Sequence, residues 1–264
     1  MKKSRKIFSK LFMLAIMIFF YMPIVYTVVF SFNYKKSLTH WSGFSLKWYE
    51  KMLSSSSMMD ALWTTISIAI LATVISTVIG TITAIGLSKS NKILKAIVER
   101  INDFPIMNPE IVTAISLLML FSALRIQKGY ITMLLAHIMF CIPYVMLSVS
   151  PKLRSLDPNL SDAALDLGAT PWQALIKVII PQIMPGVISG ALVAFTMSFD
   201  DFIISYFVTG NGVSNISILV YTMSKRINPS INALSTVIIL IITVVLVLVN
   251  IIPIIRNNMK GVKE

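Results

Sequence analysis

Six apolar stretches, over residues 7–30, 64–87, 105–124, 131–150, 183–208 and 233–255, are each long enough to cross a bilayer as a helix. This constrains the fold more than any other feature. In hydrocarbon every backbone N–H and C=O needs a partner inside the protein, so such segments fold as α-helices. The expectation is an all-α polytopic membrane protein of six transmembrane helices, with one integral membrane domain filling 1–264. The chain is 56% hydrophobic and only 13% charged, outside the range of an average soluble domain. Its net charge of +12 would suit nucleic acid or an anionic membrane surface, and the long apolar runs select the membrane and argue against nucleic acid.

The first stretch has a basic start, Lys2, Lys3, Arg5, Lys6 and Lys10, like a secretory leader. Its apolar run is too long for one, and Ser31-Phe32-Asn33 offers no small-x-small cleavage site, so it reads as a retained first transmembrane helix. An even number of spans puts both termini on one side. That side carries the five cations just named, then Lys89, Lys92, Lys95, Arg100, Lys152, Arg154, Lys177, Arg256, Lys260 and Lys263. The other side carries Lys35, Lys36, Lys47, Lys51, Arg125, Lys128, Lys225 and Arg226. The excess of positive charge places both termini in the cytoplasm.

Between the fourth and fifth stretches lies a polar-edged segment, SDAALDLGATPWQALIKVIIPQIMP, over residues 161–185. Asp157-Pro158 offers a cap and first turn, and Leu160, Ala163, Ala164 and Leu167 recur at helical spacing up to a stop at Gly168. Thr170-Pro171 repeats the start signal, and Trp172, Leu175, Ile176 and Ile179 fall on one face until Pro181. Two short amphipathic helices outside the bilayer are expected. An interfacial pair lying on the headgroups would have the same composition.

These residues resemble the cytoplasmic loop signature of ABC importer permeases, a Glu-Ala-Ala triplet, a Gly four residues after its last Ala, and an Ile-x-Leu-Pro ending. The match is Asp162-Ala163-Ala164, Gly168 and Val178-Ile179-Ile180-Pro181, with Asp for Glu, Val for Ile and Ile for Leu. The resemblance implies a type I ABC importer permease fold whose coupling helix sits in a groove on a separate ATPase. Asp162, Ala163, Ala164, Gly168, Ala169, Trp172 and Pro181 would form the ATPase-coupling segment.

Three acids fall inside the expected spans, Glu110, Asp200 and Asp201. A carboxylate near the centre of a span costs about 2.5–3.5 kcal/mol on insertion scales, so it should face a pore or a cationic partner. Asp200 and Asp201 are about 100° apart around a helix, so one can face a pathway while the other pairs elsewhere. Their sign suits a cationic substrate, and Tyr144, Phe199, Phe202 and Tyr206 supply aromatic faces for ammonium groups in the same layer. The candidate pathway residues are Asp200, Asp201, Glu110 and Tyr206. The alternative is a pair solvated at the outer end of the fifth span, with Glu110 an interfacial acid at a helix start.

Two small-residue stripes, Ser76, Gly80, Ala84 and Ser88, and Gly186, Gly190, Ala194 and Ser198, predict close helix contacts, within the chain or with a second subunit. Trp41, Trp48 and Tyr49 in the longest outer loop read as headgroup anchors more readily than as a partner site. His137 and Cys141 lie one turn apart, but without a third ligand they read as packing, and no metal site is expected. No phosphate-binding G-x-x-x-x-G-K-[ST] run occurs, so the chain is expected to bind no nucleotide cofactor. A nucleophile-base pair is also missing, so the chain does not read as an enzyme.

End to end the chain is similar to the membrane subunits of one branch of these permeases, the polyamine (spermidine/putrescine) importers. The stretches that carry this are Trp41-Ser42-Gly43-Phe44 with Lys47-Trp48-Tyr49, the run from Pro109 to Leu118, Ala136-His137-Ile138 with Pro143, and Ser198-Phe199-Asp200-Asp201 leading to Phe207-Val208-Thr209-Gly210. The resemblance implies a type I permease core over about 60–252 behind a first helix over about 7–30, in the inner membrane of a bacterial cell. It implies a heterodimer with a second related permease, two cytoplasmic ATPase subunits that use ATP and magnesium, and an extracytoplasmic substrate-binding protein. The other readings are an importer of another small solute on the same scaffold, and an ion-coupled secondary carrier using the buried acids.

Overall fold

The computed structural model describes residues 2–224 and 228–260, with side chains over 8–224, 228–244 and at 247. Of the cations used above for orientation, Lys225, Arg226 and Lys263 lie outside the described residues, as do the side chains of Lys2, Lys3, Arg5, Lys6, Arg256 and Lys260. The helices are α1 Lys2–Ser31, α2 Lys47–Leu53, α3 Ser56–Ser88, α4 Lys92–Met107, α5 Glu110–Ala123, α6 Tyr130–Arg154 and α7 Leu160–Asp166. They continue with α8 Pro171–Ala174, a π-turn over Leu175–Ile179, α9 Ile180–Asp200, α10 Ile203–Val208, α11 Ile216–Ser224 and α12 Pro229–Lys260. Among the described residues there is no β-strand, only an isolated bridge between Asn33 and Phe44.

Four helical runs are long and apolar enough to cross a membrane, Phe8–Ser31, Ser56–Ser88, Tyr130–Arg154 and Pro171–Asp200. The chain is an all-helical, multi-pass membrane protein. The third expected span is bent: α4 and α5 together have the required length and apolarity but turn by 108° at Asn108-Pro109. Proline cannot donate to the preceding turn and pushes the residue before it out of the helical region. Asn108 accordingly has ψ 147° and Pro109 ψ 135°, and a new helix starts at Glu110. The stretch 233–255 falls within α12, whose described apolar part is Pro229–Val244.

The chain divides into two compact units, Met1–Met59 with Val220–Glu264, and Asp60–Leu219. In the first, α12 packs against α1 and α2. The loop after α1 is organised by fully buried Asn33, whose carboxamide donates to the carbonyls of Ser37 and His40 and accepts from the N–H and O–H of Ser42, all between 2.8 and 3.0 Å. The Trp48 indole N–H donates to the Asn33 carbonyl at 2.6 Å, and Tyr49 shares a hydrogen bond with Ser31. Trp48 is only 4% exposed, so it is a core residue and not a headgroup anchor, whereas Trp41 remains exposed beside Phe30.

In the second unit α6 is the central post. The small-residue stripe predicted on α9 packs on it, and Gly80 of the stripe predicted on α3 meets it too, so these contacts lie within the chain. A Cβ at Gly80 would stand 2.9 Å from the Val145 Cβ, and one at Gly190 would stand 3.1 Å from the Val145 Cα. Val145 thus fills the space that two glycines leave. Such close approach supplies van der Waals contact where lipid gives no hydrophobic drive for association. The outer faces of α3 and α9, with Val74, Val78, Ile82, Ile188 and Leu192 exposed, are apolar, as a lipid-facing surface requires.

The stretch 183–208 is not one helix. α9 stops at Asp200, Asp201 takes an extended conformation, and α10 starts two residues later and packs on α5 and α6.

Candidate functional site

The segment between α6 and α9 begins with the Asp157 carboxylate accepting the Asn159 N–H at 2.9 Å. α7 then starts at Leu160, with Asn159 in the cap position, so Asp157 shapes the entry turn and does not itself cap the helix. The end of α7 is a Schellman motif, with the Gly168 N–H on the Leu165 carbonyl and the Ala169 N–H on the Ala164 carbonyl. That motif needs a left-handed residue, and Gly168 supplies it with φ +85°. Thr170 and Gln173 form a reciprocal capping box, at 3.3 and 3.0 Å, that starts α8 with Pro171 in its first turn.

The second short helix does not end at Pro181. α8 passes through the π-turn directly into α9, giving a continuous helical run over Pro171–Asp200. The π-turn carries hydrogen bonds one residue longer than usual, as in the Ile180 N–H on the Leu175 carbonyl. Pro181 follows the π-turn directly, at the second position of α9. A movement of the Gly168 bend is therefore joined to α9 through unbroken helix. On the surface of this segment Asp162, Ala163 and Pro181 are exposed, Ala164 and Ala169 are half-buried, and Leu167 and Trp172 are 90% and 68% exposed.

The second site is the break between α9 and α10. Asp201 is buried, and its carboxylate accepts the Ile204 N–H at 3.2 Å and the Ser205 N–H and O–H, each at 2.7 Å. It thereby satisfies the orphan donors at the start of α10. His137, fully buried on α6, reaches the same point: Nε2 is 3.0 Å from the Ser205 hydroxyl and 3.4 Å from Asp201, and Nδ1 is 2.6 Å from the Ser198 hydroxyl. Asn215 donates to the Asp201 carbonyl at 2.8 Å and to the Ser205 hydroxyl at 3.0 Å. The Ser205 hydroxyl, donating to Asp201, accepts from Asn215 and from His137 Nε2–H, which leaves Nδ1 to accept from Ser198. One proton arrangement satisfies all five side chains. Cys141, one turn on, donates instead to the Ala194 carbonyl at 3.4 Å, and no group of three metal-ligating side chains forms among the described residues.

Asp200 has the opposite environment. Its side chain is exposed, as are those of Glu110 and Tyr206. Asp200 closes α9 just before α10, and α10 packs on α5, the helix that Glu110 begins, so neighbouring elements from distant parts of the sequence carry the two acids. Phe202 and Tyr206 add rings 5.5 Å apart. Both acids sit where a helix is interrupted, Glu110 at the start of α5 and Asp200 at the end of α9. His137 lies two turns inside α6, a run long and apolar enough to cross a membrane, so the Asp201 break is held against that helix. Irregular backbone between apolar helices is tolerated where it is buried in protein, and the Asp201 network provides that burial. His137, Ser205 and Asn215 were not read as site residues from the sequence. The available signal was Asp201 itself, a residue type that starts helices, inside an apolar stretch.

Apolar helices long enough to cross a membrane, with a helix-Gly-helix loop between two of them, suit a transporter permease. The chain belongs to the family described as binding-protein-dependent transport system inner membrane component, whose model matches residues 76–256. It is 37% identical over 95% of its length to the spermidine/putrescine transport system permease protein PotC of Escherichia coli (strain K12), covering 94% of that protein. It is 38% identical over 83% of its length to the putrescine transport system permease protein PotI of the same strain, covering 81% of it. PotC of Haemophilus influenzae is 35% identical over 93% of the chain and 96% of the relative. Among solved structures, the fold matches a bacterial ABC transporter involved in import of the acidic polysaccharide alginate, with a TM-score of 0.67 at 16% identity over 95% of this chain and 96% of that one. It also matches an alginate ABC transporter in complex with an alginate pentasaccharide-bound periplasmic protein, with a TM-score of 0.65 at 14% identity over 92% and 93%. The fold is that of ABC importer permeases, and the chain is a component of a transport system.

Proposed function

We propose that this chain is the permease subunit of an ATP-driven importer of polyamines such as spermidine and putrescine. The observation that supports the cargo class is the exposure of Asp200 and Glu110 at two helix interruptions within apolar stretches, with Tyr206 also exposed, which offers carboxylates and an aromatic face to a flexible polycation. Its relatives PotC and PotI, permease proteins of spermidine/putrescine and putrescine transport systems, agree with that chemistry. Asp200, Glu110 and Tyr206 line the pathway, and Asp201 holds the backbone from which Asp200 projects.

The loop from Asp162 through Gly168 and Ala169 to Trp172 docks on a cytoplasmic ATPase, and Pro181 lies on the helical run that carries its movement to Asp200. This chain pairs with a second, related permease, and two ATPase subunits bind and hydrolyse ATP with magnesium, while this chain binds no cofactor. A binding protein delivers cargo from outside the inner membrane, and both termini are cytoplasmic. The core permease, about 60–252, and the first helix act as one membrane domain.

The test is uptake of radiolabelled spermidine and putrescine in cells lacking this chain. Restoration by the intact chain, and failure by an inserted Asp200→Asn, Glu110→Gln variant, is the expected result. If the intact chain restores neither uptake while an ATPase co-purifies, polyamine is not the cargo.

A further inference from the structure

An open cavity of about 790 Å³ lies where the spans give way to the loop segment. Its walls come from the last turns of α3 and α6, from α4 and from α8 with the π-turn. Two chemistries meet in it. Ile85, Leu153, Leu175 and Ile179 form an apolar lining, and Lys89, Lys95 and Arg154 supply cations. The one acid in the lining, Asp157, is engaged by the Asn159 N–H, and Arg154 is bound to Glu99 at 2.8 Å. Lys89 and Lys95 form no ion pair among the described residues.

From this we infer that the cavity holds an anionic phospholipid, its headgroup phosphate at Lys89 and Lys95 and its acyl chains along the apolar lining. A soluble anion would use the lysines but leave the apolar wall wet. A zwitterionic lipid would cover the wall but bring no net charge to the lysines. Basic pockets between transmembrane helices at this level suit anionic headgroups. The site touches Pro171 and Trp172, so its occupant bears directly on the segment assigned above to ATPase coupling. That link rests on the proposed function, whereas lipid binding itself does not.

The test uses the complex isolated with its partner subunits, in nanodiscs of phosphatidylcholine containing equal fractions of either brominated phosphatidylglycerol or brominated phosphatidylcholine. The signal of Trp172, which lines the cavity, is taken as the difference from a Trp172→Phe variant. Two lysines of ordinary surface attraction predict a preference of about thirty-fold for the anionic lipid. The expected result is selective quenching by brominated phosphatidylglycerol, falling to the phosphatidylcholine level in a Lys89→Gln, Lys95→Gln variant. Equal quenching by the two lipids overturns the inference, as does selectivity that survives the double variant. Quenching that appears only after the ATPase is stripped away also overturns it, because the cavity then belongs to the protein partner. Quenching is read independently of polyamine uptake, so failure of the importer reading leaves this result interpretable.

Discussion

The Asp201 carboxylate accepts both the N–H and the O–H of Ser205, each at 2.7 Å, and by doing so turns one apolar stretch into two helices. Its neighbour Asp200 makes no such cap and faces outward. Sequential carboxylates therefore divide the work, one holding the backbone at the break and the other presenting charge.

Substitution should separate these roles. Asp201→Asn exchanges one carboxylate oxygen for an NH2 group that cannot accept from Ser205 or Ile204. Loss of hydrogen bonds to a charged acceptor costs about 1.5–3 kcal/mol each, so the variant should melt earlier and give less monodisperse protein. Asp200→Asn should leave the melting temperature near that of the intact chain while spermidine uptake falls by about tenfold or more, a loss of about 1.4 kcal/mol in handling the cation. Thermal unfolding in detergent and uptake in cells, measured on both variants, check the division. Equal stability of the two, or equal uptake, contradicts it.

His137 should behave as a third member of the structural side. His137→Leu keeps volume and apolarity but leaves Ser198 without its imidazole acceptor and removes a donor from Ser205. Each unsatisfied buried group costs about 1–3 kcal/mol, so a clear loss of thermal stability is expected. Combining His137→Leu with Asp201→Asn should give less than the sum of the single losses, because both act on one network. Additive losses on a double-mutant cycle would mean that the two residues act separately.

How much of this was legible in the sequence depends on the length scale. The helical, membrane-spanning class was, because hydrocarbon imposes helix on long apolar runs, although four runs and one bent pair meet the length where six spans were expected, and the Gly168 bend was, because helix ends leave local signals. The interruptions at Asn108-Pro109 and Asp201 were not, since composition averaged over a span hides one capping side chain. Pro181 misled for a related reason: it signals a helix end, yet the π-turn before it absorbs the missing N–H. Trp48 is buried only because the Asn33 loop folds back to take its indole N–H, a tertiary contact that an aromatic in a loop does not announce. His137 could not be weighed from α6 alone, since its partners lie on α9 and α10.

The packing of α3 and α9 on α6 leads to a graded prediction. Gly190→Leu would drive a side chain into the Val145 backbone and Ser148, and overpacking of this kind costs about 1–3 kcal/mol or more. Gly86→Ala, on the same α3 as Gly80 but with open space where its Cβ would go, should be neutral or stabilising by up to about 1 kcal/mol from helix propensity. Melting temperatures of the two variants against the intact chain test whether close approach, and not glycine itself, is what the stripes provide. Comparable destabilisation by both would refute it.

The coupling segment gives the most direct test of mechanism. Gly168 has φ +85° with open space around its missing Cβ, so a side chain there meets backbone strain and no clash. A β-branched residue forced into that conformation costs about 1–2 kcal/mol or more, which Gly168→Val relieves by opening the Schellman turn between α7 and α8. The spans lie elsewhere and should insert and melt as before. What changes is the angle at which Leu167 and Trp172 meet a partner and at which a push on α7 reaches α9. ATP hydrolysis by the assembled complex should then persist while polyamine uptake per ATP falls several-fold. Gly168→Asn, a residue that tolerates the left-handed region, should recover much of the coupling. Normal uptake per ATP in Gly168→Val would remove this loop from the path between hydrolysis and transport.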